Sequence, residues 1–244
     1  MRTGGKEVVM PLISLEISNQ VCFPDYRKQA MARAQKALLV ATELDDHELV
    51  AAWATIGECH KFDKEPELAE EAYLKALEIV RALNDQKLLG EGYLALGDAL
   101  HFCQEYTRAI TYYDQAAEIF KRLNDTEQLE LVLSQAAYAC AKNGRRDEER
   151  QYLQVAILQP TVSPESKGMF LERIALSLGA SERYQGAIQV YEEALDIYTF
   201  HHFRRFWEER LRNLAKLYVA VGDEQAAQRT LARTPPPYPP RKPK

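Results

Sequence analysis

The chain has 244 residues, 31 Lys and Arg against 36 Asp and Glu, a net charge of −5 and 46% apolar residues. That is ample material for a core and too apolar for a disordered chain. The acidic balance argues against nucleic-acid binding, which leaves a basic footprint, and no apolar run reaches the length of a membrane span.

In chain order, the stretch from Met1 to Met10 has charges at Arg2, Lys6 and Glu7, and polar residues break the apolar run from Pro11 to Ser18. No secretory signal is expected there. The cysteines, Cys22, Cys59, Cys103 and Cys140, form no CxxC pair. They read as buried free thiols, so a cytoplasmic setting is expected.

From here the sequence repeats itself. Trp53-x-x-Ile56-Gly57, then Ala69, Tyr73 and Ala76, recurs 40 residues later as Tyr93-x-x-Leu96-Gly97, Ala109, Tyr113 and Ala116. Weaker copies start at Leu133, Leu171 and Leu211, and a step of 39 backwards gives Ile17, Ala30, Ala34 and Ala37. Spacings of 3, 4 and 7 mark one face of an α-helix. Polar breaks at Lys61–Glu67, Gln104–Glu105, Asn143–Gly144, Ser181–Glu182 and Gly222–Asp223 divide each unit into a helix, a turn and a second helix. Pro66 is placed to open a second helix, and Asp85 and Asp125 to cap first helices. Pro160 and Pro164 are placed to end the second helix of the third unit. Small residues at Gly57, Gly97, Ala69 and Ala109 allow close helix approach, with Trp53, Tyr73 and Tyr113 filling the space beside them.

This pattern resembles the tetratricopeptide repeat family, in the long-repeat form found in kinesin light chains, spindle-orientation adaptors and bacterial peptide-responsive regulators. The resemblance implies an all-α, right-handed α-solenoid of stacked helix-turn-helix repeats whose first helices line a concave face. The expected organisation is an N-terminal extension and degenerate capping helix over residues 1–24, a repeat domain over 25–233 and a proline-rich disordered tail over 234–244. Groove-facing positions would be Ala54, Glu58 and Phe62, then Leu94, Asp98 and Phe102, then Ser134, Tyr138 and Lys142, then Glu172 and Leu176, and last Arg212 and Lys216. Residues 1–125 carry 14 basic and 21 acidic side chains, and the remainder 17 and 15. The expected ligand is a protein or peptide segment, basic toward the N-terminal units, with Phe62, Phe102 and Tyr138 as apolar anchors. Chaperone-binding members clamp a C-terminal carboxylate with Lys and Asn. The matching positions here are Ala54, Glu58, Leu94 and Asp98, and the two acids would repel it. Spindle adaptors usually carry Asn directly after the signature glycine, where this chain has Glu58 and Asp98.

The tail holds Pro-Pro-x-Tyr (Pro235, Pro236, Tyr238) and Pro-x-x-Pro-x-Arg (Pro236, Pro239, Arg241), patterns that WW and SH3 domains take as polyproline II ligands. No phosphate-loop, dinucleotide, zincin or nucleophile-elbow motif is present, so no catalytic residue, metal or cofactor is expected. His60 and His101, near Cys59 and Cys103, read as repeat-interface side chains. The cluster His201–Trp207 reads as an inter-repeat junction, and Arg145–Arg150 as a solvated face. The chain therefore reads as a non-enzymatic adaptor or scaffold without membrane insertion. A ligand- or peptide-responsive regulator, or an assembly subunit of a larger complex, stays open beside it.

Overall fold

The computed structural model describes residues 21–40, 44–201 and 206–235. Eleven helices and no strand occur among them: α1 Pro24–Leu39, α2 Asp46–Asp63, α3 Pro66–Leu83, α4 Gln86–Phe102, α5 Tyr106–Leu123, α6 Thr126–Lys142, α7 Arg146–Ile157, α8 Pro164–Ala180, α9 Tyr184–Phe200, α10 Trp207–Ala220 and α11 Glu224–Leu231. None of these is long and apolar enough to cross a membrane. The chain divides into two compact units, Met1–Ala139 and Cys140–Lys244. In the first, α2 pairs with α3 and α4 with α5; in the second, α8 pairs with α9 and α10 with α11. These are the helix-turn-helix pairs of a tetratricopeptide-like repeat fold.

Local chemistry explains the comb of helices. Asp45 forms a reciprocal capping box with Glu48 at the start of α2. Asp85 accepts from the Leu88 amide, Asp125 from Gln128 and Ser163 from Ser166, opening α4, α6 and α8. Within each pair the first helix ends on a left-handed residue: Lys64, Gln104, Gly144, Glu182 and Gly222. In all five turns the next amide reaches back five residues, as in Glu65 to His60 and Arg145 to Cys140. This is the Schellman closure, and glycine occupies it without strain only at Gly144 and Gly222.

Three expectations are corrected. The break at Lys61–Glu67 shrinks to Lys64–Glu65, because α2 runs on to Asp63 and Pro66 opens α3. The second helix of the third unit stops at Ile157, before Pro160, and Pro164 begins the next helix behind the Ser163 cap. The Arg145–Arg150 run is not all solvated. Glu149 and Arg150 are buried, Arg150 donates to the Ser177 hydroxyl at 3.1 Å, and Arg173 reaches Glu149 at 3.5 Å.

In three of the pairs, α2–α3, α4–α5 and α8–α9, a glycine faces an aromatic ring. A Cβ at Gly57 would stand 2.6 Å from the Tyr73 ring, and one at Gly97 2.6 Å from the Tyr113 ring. Two turns toward the other end of the pair, Gly90 meets Phe120, and Gly168 meets Tyr198 in the same way. In the first complete pair the corresponding positions hold Val50 and Val80, both buried. Gly186, on the open side of α9, has no atom nearer than 3.9 Å to its ideal Cβ.

Gly97→Ala should therefore lower unfolding stability by about 1–3 kcal/mol, while Gly186→Ala should leave it equal or slightly raised. Denaturant melts of the two variants check this, and an unchanged midpoint for Gly97→Ala would remove the ring contact from the account.

Candidate functional site

Tyr73, Tyr113 and Tyr191, buried between the paired helices, each carry a hydroxyl that meets an acid. Tyr73 donates to Glu58 at 2.8 Å, Tyr113 to Asp98 at 2.8 Å and Tyr191 to Glu172 at 2.7 Å. Burial first, then the facing carboxylate, holds all three phenols far above their ordinary range, so they act only as donors. In the first two pairs the acid directly follows the signature glycine. In the α8–α9 pair that position is Leu176, and the acid sits one turn earlier at Glu172, on the same helix face.

The three acids differ in what else they meet. Glu58 is 3% exposed and also pairs with Lys61. Glu172 accepts from Tyr191, from Tyr198 at 3.2 Å and from Arg210 at 3.1 Å, with the Arg210 guanidinium 3.6 Å from the Tyr198 ring centre. These two carboxylates are satisfied inside the protein. The expectation that Glu58 and Glu172 face a groove gives way to that internal role, as does Ala54, which is fully buried.

Asp98 differs: its one direct partner is the Tyr113 hydroxyl, and no Lys or Arg among the described residues pairs with it. Burial raises its carboxyl to about 6, against lowering by the Tyr113 hydrogen bond and the more distant Lys61 charge. His101 Nδ1 lies 3.3 Å from the Tyr113 oxygen, and its ring centre is 5.1 Å from that of Tyr138. Phe102, one turn after Asp98, is 40% exposed and Tyr138 is 44% exposed. Leu94, one turn before Asp98, is half-buried. The first unit thus holds a carboxylate without a paired cation, bordered by open aromatic surface.

Phe62 is drawn into a different arrangement. It meets Phe102 edge to face at 5.2 Å, and cations sit on both rings: Lys61 4.8 Å from the Phe62 centre and Lys64 3.6 Å from that of Phe102. Lys64 also donates to the Phe102 carbonyl at the end of α4. Sequence spacing placed Phe62 and Phe102 but did not show Lys61 and Lys64 over them. Interleaved Lys and Phe at the ends of successive first helices was the available signal.

The remaining candidates are spread more widely. Lys142, Arg212 and Lys216 are exposed in the second unit, Arg212 lying 3.8 Å from Glu208. Pro235 borders a cleft beside Phe206, Trp207 and Arg212. Pro236, Tyr238, Pro239 and Arg241 lie outside the described residues, as do residues 202–205 of the His201–Trp207 cluster. The Cys59 thiol points to the Arg27 carbonyl, and burial pushes it up to about 11. Cys103 points to the Lys61 carbonyl, and His60 pairs with Glu65 at 2.7 Å. No set of three His, Cys, Asp or Glu side chains among the described residues is arranged to hold a metal.

The Asp98 shift has a signed consequence. The folded chain keeps a proton that the unfolded chain has already lost between the ordinary Asp range and about pH 6. Its contribution to stability is therefore greatest at low pH and declines as pH rises through that window. Asp98→Asn, which cannot ionise, should gain on the wild type by on the order of 2 kcal/mol between about pH 4 and about pH 8. Thermal melts of both chains across that range check it, and parallel curves would refute it.

Residues 50–81 and 90–122 match the family model described as the tetratricopeptide repeat. No curated protein matches the chain by sequence. Among solved structures, BtubC (BKLC) from P. vanneervenii is similar at a TM-score of 0.63 and 17% identity, over 93% of this chain and 96% of that one. The nearly identical TPR-like repeats of a Podosopora anserina protein assigned as a kinesin light chain give 0.59 and 17%, over 78% and 94%. The apo form of RapI gives 0.51 and 19%, over 88% and 79%. At these identities the likeness is one of fold.

Proposed function

We propose that this chain, whose residues 50–81 and 90–122 match the tetratricopeptide repeat, is a non-enzymatic adaptor that takes up a partner segment carrying a Lys or Arg. The first-helix face around Asp98 receives that residue. The observation behind this reading is the contrast among the three tyrosine-bound acids. Glu58 and Glu172 have internal cations, whereas Asp98 has none among the described residues. A carboxylate held part-buried with no cation is a costly arrangement. An incoming ammonium or guanidinium would supply the missing charge and favour the ionised form. Phe102 and Tyr138 would then pack on the stem of that side chain or on an apolar neighbour, as aromatic anchors do in peptide grooves. The Phe62–Phe102 pair, held by Lys61 and Lys64, keeps Phe102 in place for this contact.

The acidic first half of the sequence fits such a partner, since like charge would repel an acidic segment. Glu58→Lys would be a poor probe, because it places a cation in a buried pocket beside Lys61. Asp98→Asn keeps the shape and removes only the charge.

A fluorescent peptide alternating Lys and Leu serves as the ligand. Asp98→Asn should weaken its binding by about tenfold. Glu118→Gln, an exposed acid on α5, should bind as the wild type does. Equal affinity for Asp98→Asn and the wild type would overturn the assignment.

A further inference from the structure

The residue pattern of α1 is that of a second helix of a pair. Ala30, Ala34 and Ala37 stand 39 residues before Ala69, Tyr73 and Ala76. In complete pairs the preceding helix helps cover these positions: Gly57 lies against Tyr73 and Gly97 against Tyr113. Accordingly Ala69, Ala76, Ala109, Ala116, Ala187 and Ala194 are all 0% exposed. Ala30 and Ala37 are only half-buried. Together with Ala34, and with Ala51 and Ala52 of α2, they line an open, largely apolar cleft of about 420 Å³. Arg33 and Glu48 stand among its polar lining residues.

We propose that this cleft is filled by the chain's own segment Pro11–Gln20, in the place the first helix holds in the complete pairs. The same step of 39 that aligns Ala30 with Ala69 sets Ile17 at the position of Ile56 and Ser18 at that of Gly57. A small residue therefore recurs where close approach is needed. Leu12, Ile13, Leu15 and Ile17 supply the large aliphatic groups that a cleft of alanines lacks, and large against small is how protein interiors reach full density. The tether is direct: Gln20 is followed by Val21, which is 1% exposed and forms part of the cleft lining. A segment bonded to the wall of its own site has a high effective concentration there, so it outcompetes a free helix of similar composition.

The test uses the full chain with benzoylphenylalanine at Gln29, an exposed residue on the cleft lining. After illumination, digestion and mass spectrometry, adducts within the same chain should map to Pro11–Gln20. Adducts joining two copies, adducts mapping elsewhere in the chain, or none, would overturn the proposal. A second measurement avoids the bulky probe. Ile17→Asp should speed amide hydrogen exchange at Ala30–Ala37 while leaving exchange at Ala109–Ala116 unchanged. Equal exchange at Ala30–Ala37 in variant and wild type would overturn it as well.

Discussion

In three of the helix pairs the packing depends on one contact: a glycine on the first helix gives up its side chain so that a tyrosine ring on the second can lie on its backbone. At 2.6 Å from an ideal Cβ there is no room for even a methyl group. The ring then fixes where its hydroxyl ends, deep between the helices, and a buried hydroxyl needs a partner. A carboxylate on the first helix supplies it, so the packing constraint dictates an electrostatic one. That sequence of causes explains why an acid appears beside Tyr73, Tyr113 and Tyr198 although the surrounding residues differ. It also explains why the acid can shift by one turn, from the position after the glycine to Glu172, and still do the same work.

The second demand is on the carboxylate itself. Once buried it must be neutralised, protonated or paired. Lys61 answers for Glu58 and Arg210 for Glu172. Asp98 has no such answer among the described residues, and burial holds its carboxyl above the ordinary range. On the proposed reading, the carboxylate that satisfies a buried tyrosine in three of the pairs becomes, in one of them, a place where a cation from outside is worth most.

The helix pairs, their turns, the Asp85 and Asp125 caps and the role of Pro66 were legible in the sequence, because each depends on residues within a few positions of one another. The 40-residue step then carried these local signals through the chain. Less legible was the direction of individual side chains. Glu58 and Asp98 hold the same repeat position, yet only the structure separates the one paired with Lys61 from the one that is not. The difference lies in Lys61 against His101, three residues on from each acid. Gly90 and Gly168 carry no signature mark, because the signature names only one glycine per unit, although each lies seven residues before the signature small position. Arg150 reads as surface by composition, but the serines of α8 give its guanidinium a buried seat.

The account turns on whether Asp98 receives a cation from outside. The direct measurement is a carbon-13 NMR titration of the Asp98 carboxyl in the full chain, alone and saturated with the Lys–Leu peptide. The account predicts a midpoint near 6 for the free chain and a clear fall when the peptide is bound, because an adjacent cation favours the ionised form. A midpoint that the bound peptide leaves unmoved, or moves upward, would contradict it.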